Sequence, residues 1–255
     1  MKVVAVHNLK GGVGKTSTAV NLAYLAARDG LRVLLWDLDA QGAASYYFHL
    51  APRKRADIER LLERKKQLPK AIKATAYDRL DLIPADVSYR NFDLELGDLD
   101  KPQKRLSKLI RSVEEHYDFV FLDCAPSMSL VAENVFHMAD FVLVPLIPTT
   151  LSVRAFEQMR RFLKQETKSK ARLMPFFSMV DRRKRLHRDL IVEFADAYPD
   201  VVRSYIPYAS AVERMGEQRA PVNVFADNSP GGQAFKALWQ SIKPTFLDSE
   251  NARQK

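Results

Sequence analysis

The stretch VVAVHNLKGGVGKTSTAVNLAYLAAR, Val3 to Arg28, decides how the rest of the chain is read. An apolar run has the pattern of a buried strand, a glycine loop follows, and then Ala19, Leu22, Ala23 and Ala26 recur at helical spacing until Gly30. Strand, glycine loop and helix, in that order, form the context that a phosphate site requires. Gly11, Gly12 and Gly14 open backbone conformations closed to other residues and let N–H groups turn toward an anion. The helix N-terminus adds its positive dipole. Lys15 is placed to neutralise β- and γ-phosphates, and the Thr16 hydroxyl to ligate Mg²⁺. The nucleotide-binding set is therefore Lys10, Gly11, Gly12, Val13, Gly14, Lys15, Thr16 and Ser17.

Outward from this unit the same alternation continues. Further strands are expected near Val33 to Trp36, Leu80 to Ile83, Phe119 to Leu122, Phe141 to Leu146, Leu173 to Met179 and Val201 to Ile206. Helices are expected at Ala56 to Lys66, Lys101 to His116, Leu130 to Met138, Ser152 to Thr167, His187 to Tyr198 and Gln233 to Ile242. Short apolar runs separated by amphipathic segments describe a mostly parallel twisted sheet covered by helices on both faces. The fold class is α/β, with residues 1–255 read as one P-loop domain whose last few residues are disordered.

At 255 residues and 47% hydrophobic content, a single core suffices without disulfides or a structural metal. Cys124 is the single cysteine, which fits a reducing cytoplasm and excludes an intramolecular bridge. No run has the length of a membrane span, and the first residues lack the apolar stretch of a signal peptide. Against 31 acidic residues stand 40 Lys and Arg, a net charge of +9 that draws polyanions to the surface.

The second strand runs into LLWDLDAQG, so Asp37 and Asp39 stand at its C-terminal end, where open α/β sheets bind ligands. Their spacing sends both side chains to one side if the strand continues. One carboxylate can hold the water shell of Mg²⁺ while the other orients an attacking water.

KGGVGKTS resembles the deviant Walker A motif of the ParA/MinD family of P-loop ATPases. The ordinary pattern GxxxxGK[ST] fails because Leu9 occupies the position five before Gly14; a second lysine, Lys10, opens the loop instead. The resemblance implies ATP and Mg²⁺ as ligands and an ATP-dependent sandwich homodimer in which Lys10 reaches the partner's nucleotide. With DxDxQG matched, it gives Asp39 the role of positioning water and Asp37 a place on the metal side. FVFLDCAPS resembles the family's Walker B and switch II, which makes Asp123 a Mg²⁺ carboxylate and has Pro126 and Ser127 cap the next helix. The catalytic set is then Lys10, Lys15 and Asp39, and the metal set Thr16, Asp37 and Asp123. Cys124 reads as a small buried residue. The segment VLVPLIPTTLSVRAFEQM supports the same fold, and FFSMVDRR and YIPYASAVERM occupy the places where relatives hold adenine, which selects Ser178 and Pro207. A serine there offers one hydroxyl in place of an amide's donor and acceptor.

Arg182, Arg183, Lys184, Arg185, His187 and Arg188 crowd one helix start. Such density repels itself unless an anion lies opposite, and it suits sequence-independent, salt-sensitive contact with DNA phosphates; a solvated helix start is the other reading. Within this set the family resemblance singles out Arg183. A second basic stretch, Arg53 to Lys73, reads as a surface helix or an adaptor site. Arg160, Arg161 and Lys164 would widen the DNA surface, and Arg214 and Arg219 are further candidates.

The resemblance implies a positioning ATPase: ATP closes the dimer, the dimer binds nucleoid double-stranded DNA non-specifically, and a cargo adaptor protein triggers an otherwise slow hydrolysis. No helix-turn-helix precedes the phosphate loop, which argues against operator binding. The cargo is a plasmid or chromosome partition complex, or a protein cargo such as a carboxysome or chemotaxis cluster, with the pattern around Tyr208 to Arg214 tilting toward protein. The alternative is a MinD-like membrane switch, for which Phe235, Leu238, Trp239 and Ile242 supply an apolar stripe that Pro244 should break. One cysteine cannot hold a bridging iron–sulfur cluster, and no tyrosine-rich tail supports a tyrosine kinase.

Overall fold

Side-chain alternation along the first strand divides the interior in two. Val3 and Ala5 point into one apolar cluster with Trp36, Phe136 and Phe156, whereas Val4 and Val6 point into another with Leu22, Phe121 and Trp239. A strand buried on both faces needs helices on both faces, and the computed structural model has that layering. It describes residues 1–51, 58–63, 68–100, 102–167 and 169–248.

Strands β1 (Lys2–Val6), β2 (Val33–Asp37), β3 (Lys73–Ala74), β4 (Leu80–Ile83), β5 (Phe119–Asp123), β6 (Phe141–Leu146) and β7 (Arg172–Phe177) form one sheet in the order β3-β4-β2-β5-β1-β6-β7. Every pairing is parallel except β3 with β4. Helix α1 (Lys15–Arg28) carries the chain from β1 across to β2, and α2 (Ala43–Tyr47) follows β2. Helices α3 (Phe92–Gly97), α4 (Arg105–Ile110), α5 (Leu130–Met138), α6 (Thr150–Phe162), α7 (Arg185–Ala197) and α8 (Pro230–Asp248) complete the described cover, with shorter turns between them. The switch of strand order around β1 leaves a crevice at the C-terminal edge of the sheet, the edge from which the glycine loop, Asp37 and Asp123 emerge.

Several elements differ from the expectation. Val201 to Ile206 is no strand: Val202 and Pro207 make isolated bridges to Phe176 and Val180. Pro175 and Pro207 each lack the N–H that a continuous ladder would need. Lys101 to His116 is broken into a 3₁₀ turn, the short α4 and another 3₁₀ turn, with the Leu106 N–H donated to the Asn134 side chain. Helix α6 ends in a π turn at Leu163–Thr167. The residue that caps α5 is Ser129, not Ser127; the Ser129 hydroxyl accepts from the Ala132 N–H. Of the expected helix Ala56 to Lys66, Ile58–Glu63 is helical, and the remainder lies outside the described residues.

Pro244 does not end the last helix, which continues to Asp248 because Phe246 is buried beneath it. Phe235, Leu238, Trp239, Ile242 and Phe246 are all 1% exposed or less, so the stripe packs on the sheet and offers nothing to a lipid surface. Trp239 and Lys243 both donate to Asp29, closing α8 on α1 at 2.7 Å each. Among the described residues no helix is long and apolar enough to cross a membrane.

Candidate active site

The phosphate loop is held from below. His7 donates its backbone N–H to Leu143, and the Asn8 side chain donates to the Pro145 carbonyl at 2.8 Å while accepting from the Lys10 N–H. Val13 turns its side chain inward and is 1% exposed, which leaves the backbone to face outward. Gly14 has φ +90°, and a Cβ there would stand 2.9 Å from the Ser178 hydroxyl. Both conformation and space therefore demand glycine. No side chain caps α1, so its first N–H groups remain available to an anion. Ser17 and Thr18 donate their hydroxyls to the Gly14 carbonyl, fastening the helix start to the loop.

Lys15 is buried and donates to the Lys10 carbonyl at 3.0 Å. Burial lowers its pKa, and the carboxylates of Asp123 and Asp39 pull it back up. Lys10 is partly exposed, and its ammonium makes no ion pair among the described residues.

Asp37 and Asp123 face each other in register across β2 and β5, both fully buried. Their surroundings differ. Asp37 accepts from the Ser45 N–H at 2.8 Å and the Ser45 hydroxyl at 2.7 Å, and Ser45 in turn accepts from Ala85. Burial nevertheless pushes Asp37 up to about 6. Neither oxygen of Asp123 has a hydrogen-bond partner. Burial and the neighbouring Asp37 hold its pKa well above the usual carboxylate range; the Thr16 hydroxyl draws it back without completing a bond. Two unpartnered carboxylate oxygens in a buried site are costly unless a cation meets them. Together with Thr16 they form an all-oxygen donor set that fits Mg²⁺.

Strand β2 stops at Asp37, so Asp39 reaches the site from a turn and not along a continued strand. Its carboxylate accepts from the Gln41 N–H at 3.0 Å and lines a cavity of about 110 Å³ with His7, Cys124, Ser127, Ser129 and Tyr89. Cys124 is buried with its thiol pKa raised first by burial and then by Asp123, which keeps it an inert thiol.

The sequence reading passed over His7. Its Nε2 lies 2.9 Å from the Ser127 carbonyl, its Nδ1 3.4 Å from the Met159 sulfur, and its ring meets Phe136 edge-on. The carbonyl requires the proton on Nε2, and burial lowers the pKa to about 4. His7 thus ties β1 to the segment after Asp123 and to α6. A histidine in an otherwise apolar strand was the signal. Ser45 and Asn21 were also passed over; Asn21 bridges α1 to the C-terminal segment by accepting from the Val222 N–H at 2.7 Å.

Ser178 and Pro207 lie on adjoining segments, since Val180 donates to Ile206 and accepts from Tyr208. Ser178 is buried against the phosphate loop, close enough to Gly14 to brace it.

An AAA domain family matches residues 1–174. The chromosome partitioning protein ParA of Caulobacter vibrioides is 30% identical over 253 residues, covering 95% of this chain and 94% of that one. The chain belongs to the ParA family of P-loop ATPases. The sporulation initiation inhibitor protein Soj of Bacillus subtilis is 29% identical over 250 residues, covering 94% of this chain and 98% of its own. Cobyrinic acid a,c-diamide synthase from Mycobacterium smegmatis, with bound ADP and magnesium, superposes with TM-score 0.79 at 26% identity over 94% of this chain and 93% of its own. As a ParA-family ATPase the chain uses ATP and Mg²⁺.

On a ParA-family frame the basic segment after β7 emerges at the nucleotide edge of the sheet. Arg182, Arg183, Lys184, Arg185 and Arg188 are all exposed. Arg183 is already engaged: Asp181 accepts from its Nε at 2.9 Å, its Nη2 at 3.0 Å and its backbone N–H at 3.1 Å. Arg185 pairs with Asp189, and Arg188 donates to the Arg182 and Arg183 carbonyls. Arg182 and Lys184 have no ion pair among the described residues. Arg219 stacks over Tyr46 at 4.2 Å and Arg214 lies over Phe225 at 6.0 Å, so both help fold the C-terminal segment. Of the stretch Arg53 to Lys73, residues 53–57 and 64–67 lie outside the described residues.

Proposed function

We propose that this chain is a ParA-type positioning ATPase in the cytoplasm, associated with the nucleoid. ATP closes a homodimer, the dimer binds duplex DNA without sequence preference, and a cargo adaptor triggers hydrolysis. The observation that carries this reading is a shared edge: the phosphate loop, the partly exposed Lys10 and the exposed cations of 182–188 all leave the same end of the sheet. Nucleotide state and DNA contact can therefore be coupled over one surface.

In this reading the backbone of 11–17 and Lys15 hold the phosphates, and Mg²⁺ is held by Thr16 and Asp123 with Asp37 orienting its water shell through the oxygen that Ser45 leaves least engaged. When bound, Mg²⁺ neutralises charge on the transferring phosphoryl group. Asp39, partly exposed beside the cavity, orients the attacking water. Lys10 completes the partner's site on dimerisation, so the isolated chain turns over slowly. Ser178 and Pro207 line the nucleoside side. The cargo is a DNA partition complex or a protein assembly such as a carboxysome or chemotaxis cluster.

The test is binding of random-sequence duplex to the purified chain with ADP, with ATP, and with ATP at rising salt. ATP-specific, salt-sensitive binding that Arg182→Ala and Lys184→Ala together weaken supports the cycle. Binding indifferent to nucleotide, or none, removes DNA as the track and leaves the ATPase.

A further inference from the structure

A second basic site lies at the other end of the sheet. Helix α6 runs back from the nucleotide edge, so its last turn and the end of α7 meet at the far edge. There a groove of about 280 Å³ is lined by Glu157, Arg160, Arg161, Lys164 and Tyr198.

The groove is built from mutually positioned groups. Tyr198 donates its hydroxyl to Glu157 at 2.9 Å, which occupies the only carboxylate in the lining. The Arg160 guanidinium stacks on the Tyr198 ring at 5.5 Å, with Phe156 edge-on behind that ring. Helix α6 then widens into the π turn Leu163–Thr167, closed by the Thr167 hydroxyl on the Leu163 carbonyl, and Lys164 in that turn lines the groove. Arg160, Arg161 and Lys164 are exposed and form no ion pair among the described residues, although the surface supplies carboxylates to Arg28, Arg32, Arg172 and Arg185.

A row of carboxylates separates this groove from the loop 181–188. The groove and the loop lie at opposite ends of α7, about 20 Å apart for thirteen residues at 1.5 Å each. Between them Asp189, Glu193 and Asp196 stand exposed at helical spacing on one face of α7. A duplex laid along that face of α7 would meet Glu193 and Asp196, whose carboxylates repel phosphate, while Asp189 is paired with Arg185. A concave, aromatic-floored pocket with unpaired cations suits a different anion.

We propose that the groove formed by Arg160, Arg161, Lys164 and Tyr198 binds an acidic segment of a partner protein, at a site separate from the DNA contact. Carboxylates of that segment pair with the guanidinium groups, and its backbone or aliphatic stems lie on Tyr198. The inference deepens the adaptor reading above by giving the partner a chemistry and an address.

The experiment compares the full chain with Arg160→Glu/Arg161→Glu and with Arg182→Ala/Lys184→Ala, using a fluorescent Glu- and Asp-rich peptide, inorganic phosphate and random duplex as separate probes. All substituted side chains are exposed, and ATP affinity with the melting temperature checks folding. The groove variant is expected to lose peptide affinity by roughly tenfold and DNA affinity by less than about twofold, with the loop variant reversed. Arg160→Lys/Arg161→Lys, which keeps the charge and loses the fork, should lose about threefold for the peptide. Equal loss of DNA and peptide in the groove variant would overturn the proposal by making the groove part of the DNA face. Unchanged peptide binding would overturn it as well, leaving a solvated pocket, and capture of inorganic phosphate in preference to peptide would assign a small anion. A wild-type chain that binds peptide but no duplex refutes the DNA reading alone.

Discussion

Two cation-rich loops leave the same edge of this sheet and are held in opposite ways. In residues 8–16 the loop is anchored by a buried bond from Asn8 to the Pro145 carbonyl and a partly buried one from Lys15 to the Lys10 carbonyl. In residues 181–188 the cations are exposed, and only local contacts order them: Asp181 with Arg183, Arg185 with Asp189, and the Asp181 N–H donated to His187. Each loop has its own buried histidine brace, His7 in one and His187 in the other. The difference teaches what each loop can recognise. Fixed N–H groups select a phosphate chain of one geometry, whereas exposed cations respond to charge density and accept any duplex.

The strongest way to break that contrast is Gly14→Ala. With φ +90° and the Ser178 hydroxyl 2.9 Å from the new carbon, ATP hydrolysis should fall by about 100-fold or more, and the strained loop should also lower the nucleotide-free melting temperature. Hydrolysis at the wild-type rate would show that loop geometry is not limiting. Raising salt about fourfold should cost DNA affinity roughly tenfold or more and ATP affinity less than about threefold. Equal sensitivities would erase the distinction between the loops.

Acid probes the buried brace. His7 is held near 4, below its unfolded value of 6.5, so its neutral form favours the fold at higher pH and that stability is lost as pH falls from 6.5 through 4. The loss amounts to roughly 3 kcal/mol. His7→Asn should flatten the melting temperature in that interval, and an unchanged slope would assign acid sensitivity elsewhere. The smallest expected effect is at Arg183. Because Asp181 already neutralises it, Arg183→Ala should weaken DNA binding less than Arg182→Ala or Lys184→Ala, each roughly threefold, and Asp181→Asn should strengthen it. A dominant Arg183 effect in a binding titration would mean the ion pair opens on contact.

The core strands and the phosphate loop were legible because their signals are local: apolar runs, glycine spacing and a helix stripe each act within a few residues. The misreadings came from distant partners. Val201 to Ile206 has strand composition, but its neighbour β7 offers only isolated bridges. Pro244 reads as a stop, yet Phe246 is held beneath the sheet and carries α8 past it. Arg183 stands out by position, but the carboxylate that occupies it is visible only when Asp181 and the turn are folded.

Order along the chain by itself determined the α/β class, the phosphate loop and the carboxylate-bearing strand ends, since these depend on periodicity and on what glycine, lysine and aspartate can do next to a helix start. Only the tertiary structure decided which carboxylate stays unpartnered, that His7 braces the segment after Asp123, and that the basic residues of α6 lie at the opposite edge from those of 181–188. The physical reason is that burial, pairing and distance between charges are set by residues far apart in sequence, and those terms govern where an anion can bind.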